Sequence, residues 1–291
     1  MKEIIREKIG LITPDDPEYP ELLKEIRACP KQLYYQGDIS MLKARCVSVV
    51  GSRTTTGYGR NTAKQIGRRL AENGITVVSG MAAGIDSCAH EGALGAGGNT
   101  AAVLGCGVDV CYPPQNRALM SALRKNGLLL SEYPPGTRPA AWRFPERNRI
   151  ISGLSEMTVV VQARNRSGAL ITAELAAEQG RELCAVPGNI DSQYNLGTNK
   201  LIQEGVQPII RVDDVLDAIG LGQKAKKPDQ IRLTGLEQEV YRRIEERGEL
   251  TLDELCLLID DRPQRISPVL SVMELKGFLC SASGKFFLAN G

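Results

Sequence analysis

The residues best placed to do chemistry lie in the run Gly51-Ser-Arg-Thr-Thr-Thr-Gly-Tyr-Gly59, directly after the apolar segment Cys46-Val-Ser-Val-Val50. An apolar strand ending in a glycine-rich turn with Ser, Thr and Arg builds an anion site in α/β proteins. Glycines let backbone N–H groups approach the anion, and the next helix aims its positive end there. Arg53 adds a guanidinium whose planar fork suits phosphate. The device recurs at Thr76-Val-Val-Ser79 followed by Gly80-Met-Ala-Ala-Gly-Ile-Asp86. Two such turns predict a phosphate-rich ligand.

Three further runs carry candidate contacts. Trp142-Arg-Phe-Pro-Glu-Arg-Asn-Arg149 interleaves two of the chain's 13 aromatics with Arg143, Arg147 and Arg149. Arginines clamp phosphates, and an aromatic face stacks on an unpaired base. The competing reading has Trp142 and Phe144 pinning a long loop to the core while the arginines are solvated. Ser167 precedes Gly168-Ala-Leu-Ile-Thr172 and is a natural helix N-cap, with Arg164 and Arg166 beside it. Lys200, in Gly197-Thr-Asn-Lys200, is either a point charge for a phosphate or a solvated lysine. Asp86 and His90 stand at i, i+4, which fits a catalytic His–carboxylate pair or a hydrogen bond along a helix face. No GxSxG motif accompanies them, which favours the second.

The elements that must position these residues follow from periodicity. Apolar runs at 46–50, 76–79, 100–104, 128–131, 157–161, 183–186 and 207–210 alternate with helical patterns. Ala63, Ile66 and Leu70 mark one helix face; Ala169, Ala173, Ala176 and Ala177 mark another made of small residues. Strands alternating with helices predict an α/β fold: an extended, Rossmann-like, doubly wound and mostly parallel sheet with its ligand at the carboxyl ends of the strands. That domain is assigned to 43–219. Residues 1–42, with Pro14, Pro17, Pro20 and Pro30, read as a short loop-rich segment around one helix near Glu21–Arg27. Residues 220–230 read as a linker. In 231–291, stripes at Leu236/Val240/Ile244, Leu252/Leu255/Ile259 and Ile266/Val269/Leu270/Met273 are followed by a hairpin turning at Ser283-Gly284. Three helices and a two-stranded wing make a small C-terminal winged-helix domain.

Composition narrows the partners. Residues 43–211 hold 19 Lys/Arg against 12 Asp/Glu, whereas residues 231–291 hold 8 against 10. A localised basic excess favours a polyanion over the middle domain. Eight cysteines form no CxxC and there is one histidine, so neither a metal, a disulfide framework nor another cofactor is expected. No apolar run reaches the roughly 18 residues of a membrane span, and the N-terminus lacks an apolar signal core. The cytoplasm is the expected compartment.

Taken in order, VSVVGSR, YGR, VVSGMAAGIDSCAHEGAL, GGNTAAVLGCGVDVCYPPQNRAL, GLLLSEYPPG, FPERNRIISGLS, SGALITAELAAEQGREL, AVPGN and GTNKLI resemble the DNA-processing protein A family (DprA, also called Smf), over about 17–211. The resemblance implies a dimeric protein that binds single-stranded DNA and delivers it to the RecA recombinase, as in uptake of transforming DNA and recombination, without catalytic turnover. It implies a DNA pocket of Gly51, Ser52, Arg53, Gly80, Gly84, Phe144, Arg147, Asn148, Arg149, Ser167 and Gly168, with Lys200 near it. Arg53 would grip phosphate and Phe144 would touch a base. The chain departs from the family pattern in three places. Too few residues precede the core for the further helical domain that many relatives carry. Gln162 stands where an acidic residue is expected. The C-terminal unit is net acidic, with Pro268 inside its third helical stripe. A helix starting at Ser267 would accommodate that proline, and these features favour a protein-contact or regulatory role for the unit.

Two rival functions remain open at this level. A Rossmann-fold nucleotide hydrolase would use Asp86, His90 or Glu132 as acid and base and would turn over nucleoside monophosphates. A winged-helix transcription regulator would show duplex specificity.

Overall fold

A computed structural model describes residues 8–221, 233, 235–275, 278–282 and 284–288. The chain separates into two compact units, one ending at Gln223 and one beginning at Lys224. The expected linker 220–230 lies almost entirely outside the described residues.

The first unit begins with β1 (Gly10–Ile12), α1 (Glu21–Lys24) and β2 (Leu33–Gly37). It continues with β3 (Cys46–Val50), α2 (Gly57–Glu72), β4 (Thr76–Ser79), α3 (Ile85–Gly95), β5 (Thr100–Val103), α4 (Arg117–Asn126) and β6 (Leu128–Ser131). Then come α5 (Arg143–Gly153), β7 (Met157–Val160), α6 (Gly168–Glu178), β8 (Glu182–Ala185), α7 (Leu196–Gln203), β9 (Gln207–Pro208) and α8 (Asp214–Ala218).

One nine-stranded sheet organises it, in the order β1-β2-β6-β5-β4-β3-β7-β8-β9. The seven strands from β6 to β9 are parallel; β2 pairs antiparallel with β6, and β1 with β2. All seven apolar runs are therefore strands. Residues 1–42, expected as a short loop-rich segment around one helix, also supply β1 and β2, which extend the same sheet. Both strands are short, β1 at the sheet edge and β2 next to it, so they bury too few residues to show a period.

The sheet is buried on both faces, as its unbroken apolar strands require. Along β3, Val47 and Val49 join the cluster under α2 and α3, while Cys46 and Val50 join the cluster under α1, α5 and α6. Ala63, Ile66 and Leu70 are buried on α2, and Ala169, Ala173 and Ala176 on α6. Ala177 is exposed and Thr172 takes the buried place, so the small-residue face is rotated from the expected one. Helices α2 and α3 approach closely: a Cβ at Gly67 would sit 2.3 Å from the Ala89 carbonyl oxygen, and one at Gly92 would sit 2.1 Å from that of Lys64. Strand order reverses between β3 and β7, and such a switch point opens a crevice at the strands' carboxyl ends.

The second unit holds α9 (Leu236–Arg247), β10 (Glu249–Thr251), α10 (Leu252–Ile259), α11 (Pro263–Leu275), β11 (Leu279–Ala282) and β12 (Lys285–Leu288). The three expected stripes supply its core, including Val240, Ile244, Leu255, Ile266, Leu270 and Met273. A strand not foreseen, β10, pairs with β12 beside the expected hairpin. Ser283 of the hairpin turn lies outside the described residues. Helix α11 does not start at Ser267; it starts at Pro263 and contains Pro268. Pro263 fits the first helical position, where no donor is needed, whereas Pro268, five residues on, lies inside the helix and lacks the N–H for its i−4 hydrogen bond. Among the described residues, no helix is long and apolar enough to cross a membrane.

Candidate nucleic-acid interface

A cleft of about 400 Å³ opens at the switch point, between the loop after β3 and the loop before α6. Its first wall is Gly51 to Thr54. Gly51 runs so close to α3 that a Cβ would lie 2.5 Å from Ile85 Cγ1. The Ser52 N–H donates to the Gln162 carbonyl at 2.8 Å, and the Ser52 hydroxyl donates to the Thr54 carbonyl at 2.6 Å. Ser52 is buried and shapes the turn. Gln162, wholly buried, accepts from the Thr55 hydroxyl at 2.6 Å and the Thr56 N–H at 3.1 Å, and its Nε2 donates to Asn195 Oδ1 at 3.2 Å. A carboxylate here could accept from the threonines but could not donate to Asn195. Arg53 is exposed, and no carboxylate pairs with it among the described residues. Its guanidinium lies over the Phe144 ring, 5.4 Å from the centroid.

The second wall is α5. Phe144 packs on the backbone at Gly105 and stacks on Tyr112 with ring centroids 5.2 Å apart. One turn on, Arg147 is 4 % exposed and holds the strand ends together. It donates to the carbonyls of Gly80, at 2.9 Å, and of Val103. Burial lowers Arg147 to about 10, opposed by the charge of Asp86, so it stays cationic at neutral pH. Asp86 accepts from the N–H groups of Gly80 at 3.2 Å and Ala82 at 3.3 Å. Burial raises Asp86 above the usual carboxylate range, against the pull of Arg147 and those N–H groups. Gly80 is required here because a Cβ would lie 2.6 Å from Arg147 Nη2 and 2.8 Å from Asp86 Oδ2. Asn148 Nδ2 donates to the Gly168 carbonyl at 3.3 Å and ties α5 to the third wall.

That wall is the start of α6. The Ser167 hydroxyl caps it, accepting from the Ala169 N–H at 3.2 Å, so the helix's positive end faces the cleft. Arg164 and Arg166 line the same wall, and Arg164 rests over Tyr194 at 4.6 Å. Four arginines thus line the cleft, with Asp86 as its only carboxylate among the described residues.

The expected pocket residues divide accordingly. Gly51, Ser52, Arg53, Phe144, Arg147, Asn148, Ser167 and Gly168 line the cleft; Gly80 lines an adjoining recess with Tyr112, Arg53 and Phe144. Gly84 lines neither. Its φ of +87° turns the chain into α3, and a Cβ there would lie 2.4 Å from the Ser52 carbonyl oxygen and 2.7 Å from that of Arg53. Arg149 points elsewhere, two positions past Arg147 on a helix of 3.6 residues per turn. Its Nη2 donates to both carboxylate oxygens of Glu132, at 2.7 and 2.8 Å. Lys200 is exposed on α7, 3.6 Å from Glu204, and outside the cleft. Arg164 and Arg166, which the sequence marks only as neighbours of a helix cap, line the cleft. Tyr112 was missed, since nothing local marks a loop aromatic that meets Phe144 across 32 positions of sequence.

The acid/base set of a hydrolase is dispersed. Asp86 lines the cleft, Glu132 is in its ion pair, and His90 is wholly buried. His90 Nδ1 meets Thr100 Oγ1 at 2.7 Å and not Asp86, which corrects the i, i+4 pairing. Burial lowers His90 to about 3. No group of three potential metal ligands occurs among the described residues.

An open, mostly parallel sheet, with arginines and an aromatic face at its switch point, defines a Rossmann-like protein with a basic cleft. The chain belongs to the DNA recombination-mediator protein A family, whose model matches residues 10–220. The Smf protein of Synechocystis is 44% identical over 213 residues, 72% of this chain; the chain spans 54%, about half, of that relative's length. DNA processing protein A of Streptococcus pneumoniae superposes with a TM-score of 0.70 at 42% identity, covering 74% of this chain and 75% of that one. DNA processing protein A of Helicobacter pylori, solved for its single-stranded DNA binding mode, superposes with a TM-score of 0.66 at 30% identity, covering 75% and 98%.

Proposed function

We propose that this chain binds single-stranded DNA in the cleft and acts as a recombination mediator, by binding and not by turnover. Arg53 carries this reading: an exposed guanidinium with no carboxylate partner among the described residues, lying over an aromatic face at the switch point. The arginine takes a phosphate and Phe144 takes the neighbouring unpaired base. Arg164, Arg166 and the α6 N-terminus receive the next phosphate. Arg147 and Asp86 hold the floor. The H. pylori relative's single-stranded DNA binding mode supports the ligand class.

In this reading the protein works in the cytoplasm as a homodimer and delivers its strand to RecA during recombination of incoming DNA. The domain of 43–219 carries the DNA. The unit of 231–291, a winged helix in this account, serves protein contact or regulation, since its composition is net acidic and its third helix carries Pro268 in its interior.

Binding of a dT oligomer at a series of salt concentrations tests the reading. Three solvent-accessible arginines predict a slope of log K against log salt of about −2, at roughly −0.7 per phosphate neutralised on a single strand. A slope near zero sinks the reading.

A further inference from the structure

Beyond the cleft, one side of α5 carries an aromatic cluster that phosphate binding does not use. Trp142, the chain's single tryptophan, stands just before α5 and is 61 % exposed. Tyr133 meets it edge-on, with centroids 6.3 Å apart. The Arg143 guanidinium lies 4.9 Å from the centroids of both rings. Arg143 is fixed further by donating to the Arg138 carbonyl, and no carboxylate pairs with it among the described residues. Tyr133 is itself held, its hydroxyl donating to Glu146 Oε2 at 2.8 Å. An indole braced by a cation and a second ring, yet open to solvent, is a rigid apolar face with a positive charge behind it.

The cluster also continues the cleft. A shallow groove of about 270 Å³ starts at Arg53 and Phe144 and is lined by Tyr112, Pro139, Ala140 and Ala141, next to Trp142. The exposed Trp142 follows Ala141 of the groove wall directly in the chain. No other cluster among the described residues joins an exposed aromatic, an unpaired guanidinium and a path to Arg53.

We infer that Trp142, braced by Arg143 and Tyr133, is a second stacking platform for an unpaired base of the same strand, reached along the 139–141 groove. This rests on the single-strand reading of the cleft and adds a direction to it. The strand leaves Phe144 toward Trp142, and Arg143 supplies charge to the phosphate between. Base–aromatic stacking tolerates any sequence, so the platform extends the length of strand held without selecting bases.

Because Trp142 is the only tryptophan, its emission reports the platform directly. The full chain is titrated with dT oligomers of increasing length and with matched duplex, as wild type, Trp142→Ala, Trp142→Phe and Arg53→Ala. The expected result is quenching of wild-type emission by long oligomers and not by duplex. Trp142→Ala should weaken long oligomers roughly 5- to 100-fold, leave the shortest bound oligomers unchanged, and be largely rescued by Trp142→Phe. Wild-type affinity for Trp142→Ala at every length, with emission unmoved in wild type, overturns the platform while single-strand binding lost in Arg53→Ala keeps the cleft. If wild type binds no single strand, both fall together.

Discussion

The cleft of the first unit and the helices of the second hold positive charge in different ways. In the second, Arg242 and Arg243 pair with Glu239, Arg265 pairs with Asp261, and Lys285 pairs with Glu249. Those cations are neutralised within their own unit. In the first, Arg53, Arg164 and Arg166 stand around the cleft with no carboxylate partner among the described residues. What separates the cleft from those helices, and from the paired arginines elsewhere in the first unit such as Arg45 and Arg149, is the pairing of the cations. An exposed pair contributes little and offers little to a ligand. An unpaired guanidinium set over an aromatic ring, beside a helix N-terminus, keeps its donors for an anion.

The contrast breaks most sharply at Arg147. Arg147→Ala removes a buried cation that holds the Gly80 and Val103 carbonyls and leaves Asp86 buried without its nearby charge. A loss of about 3–5 kcal/mol is expected in the melting of the first unit. The second unit's transition should stay in place. A variant that melts like wild type would show that Arg147 does not organise the cleft floor.

Phe144→Ala should cost roughly 1–3 kcal/mol in single-strand affinity and leave weak duplex binding unchanged. Equal losses on both forms would mean that Phe144 supports the wall and touches no base.

Acid sharpens the contrast, because the single histidine lies in the first unit. Burial lowers His90 to about 3 from an ordinary value of 6.5, so below 6.5 the unfolded chain takes up a proton that the folded one refuses. Stability is therefore lost as pH falls through 6.5 toward 3, by on the order of 1 kcal/mol at pH 5.5. Melting of wild type and His90→Gln across this range checks it. The variant should show the weaker acid dependence, and identical curves would remove His90 as the cause.

Much of the first unit was legible because its parallel strands are apolar throughout and bounded by glycine turns. The two strands at the antiparallel edge were not, since Gly10–Ile12 and Leu33–Gly37 are short and flanked by turn residues. Gly51–Arg53 could be read as a site because the strand–turn–helix order specifies the geometry. The run 142–149 could not be resolved, because Pro145 conceals a helix that tolerates proline in its first turn. Without that helix's phase, Arg147 and Arg149 look alike. The phase sends one beneath the cleft and the other to Glu132. Lys200 and Arg164 were equally ambiguous in sequence, and only the placement of α6 and α7 separates them.

Fluorescence anisotropy of a labelled dT oligomer and a matched duplex, with wild type beside Arg53→Ala and Arg265→Ala, tests the central claim most directly. The account predicts single-strand preference in wild type, a loss on the order of 2 kcal/mol in Arg53→Ala, and less than a twofold change in Arg265→Ala. Single-strand affinity that survives Arg53→Ala and falls with Arg265→Ala would contradict it and move the DNA site to the second unit.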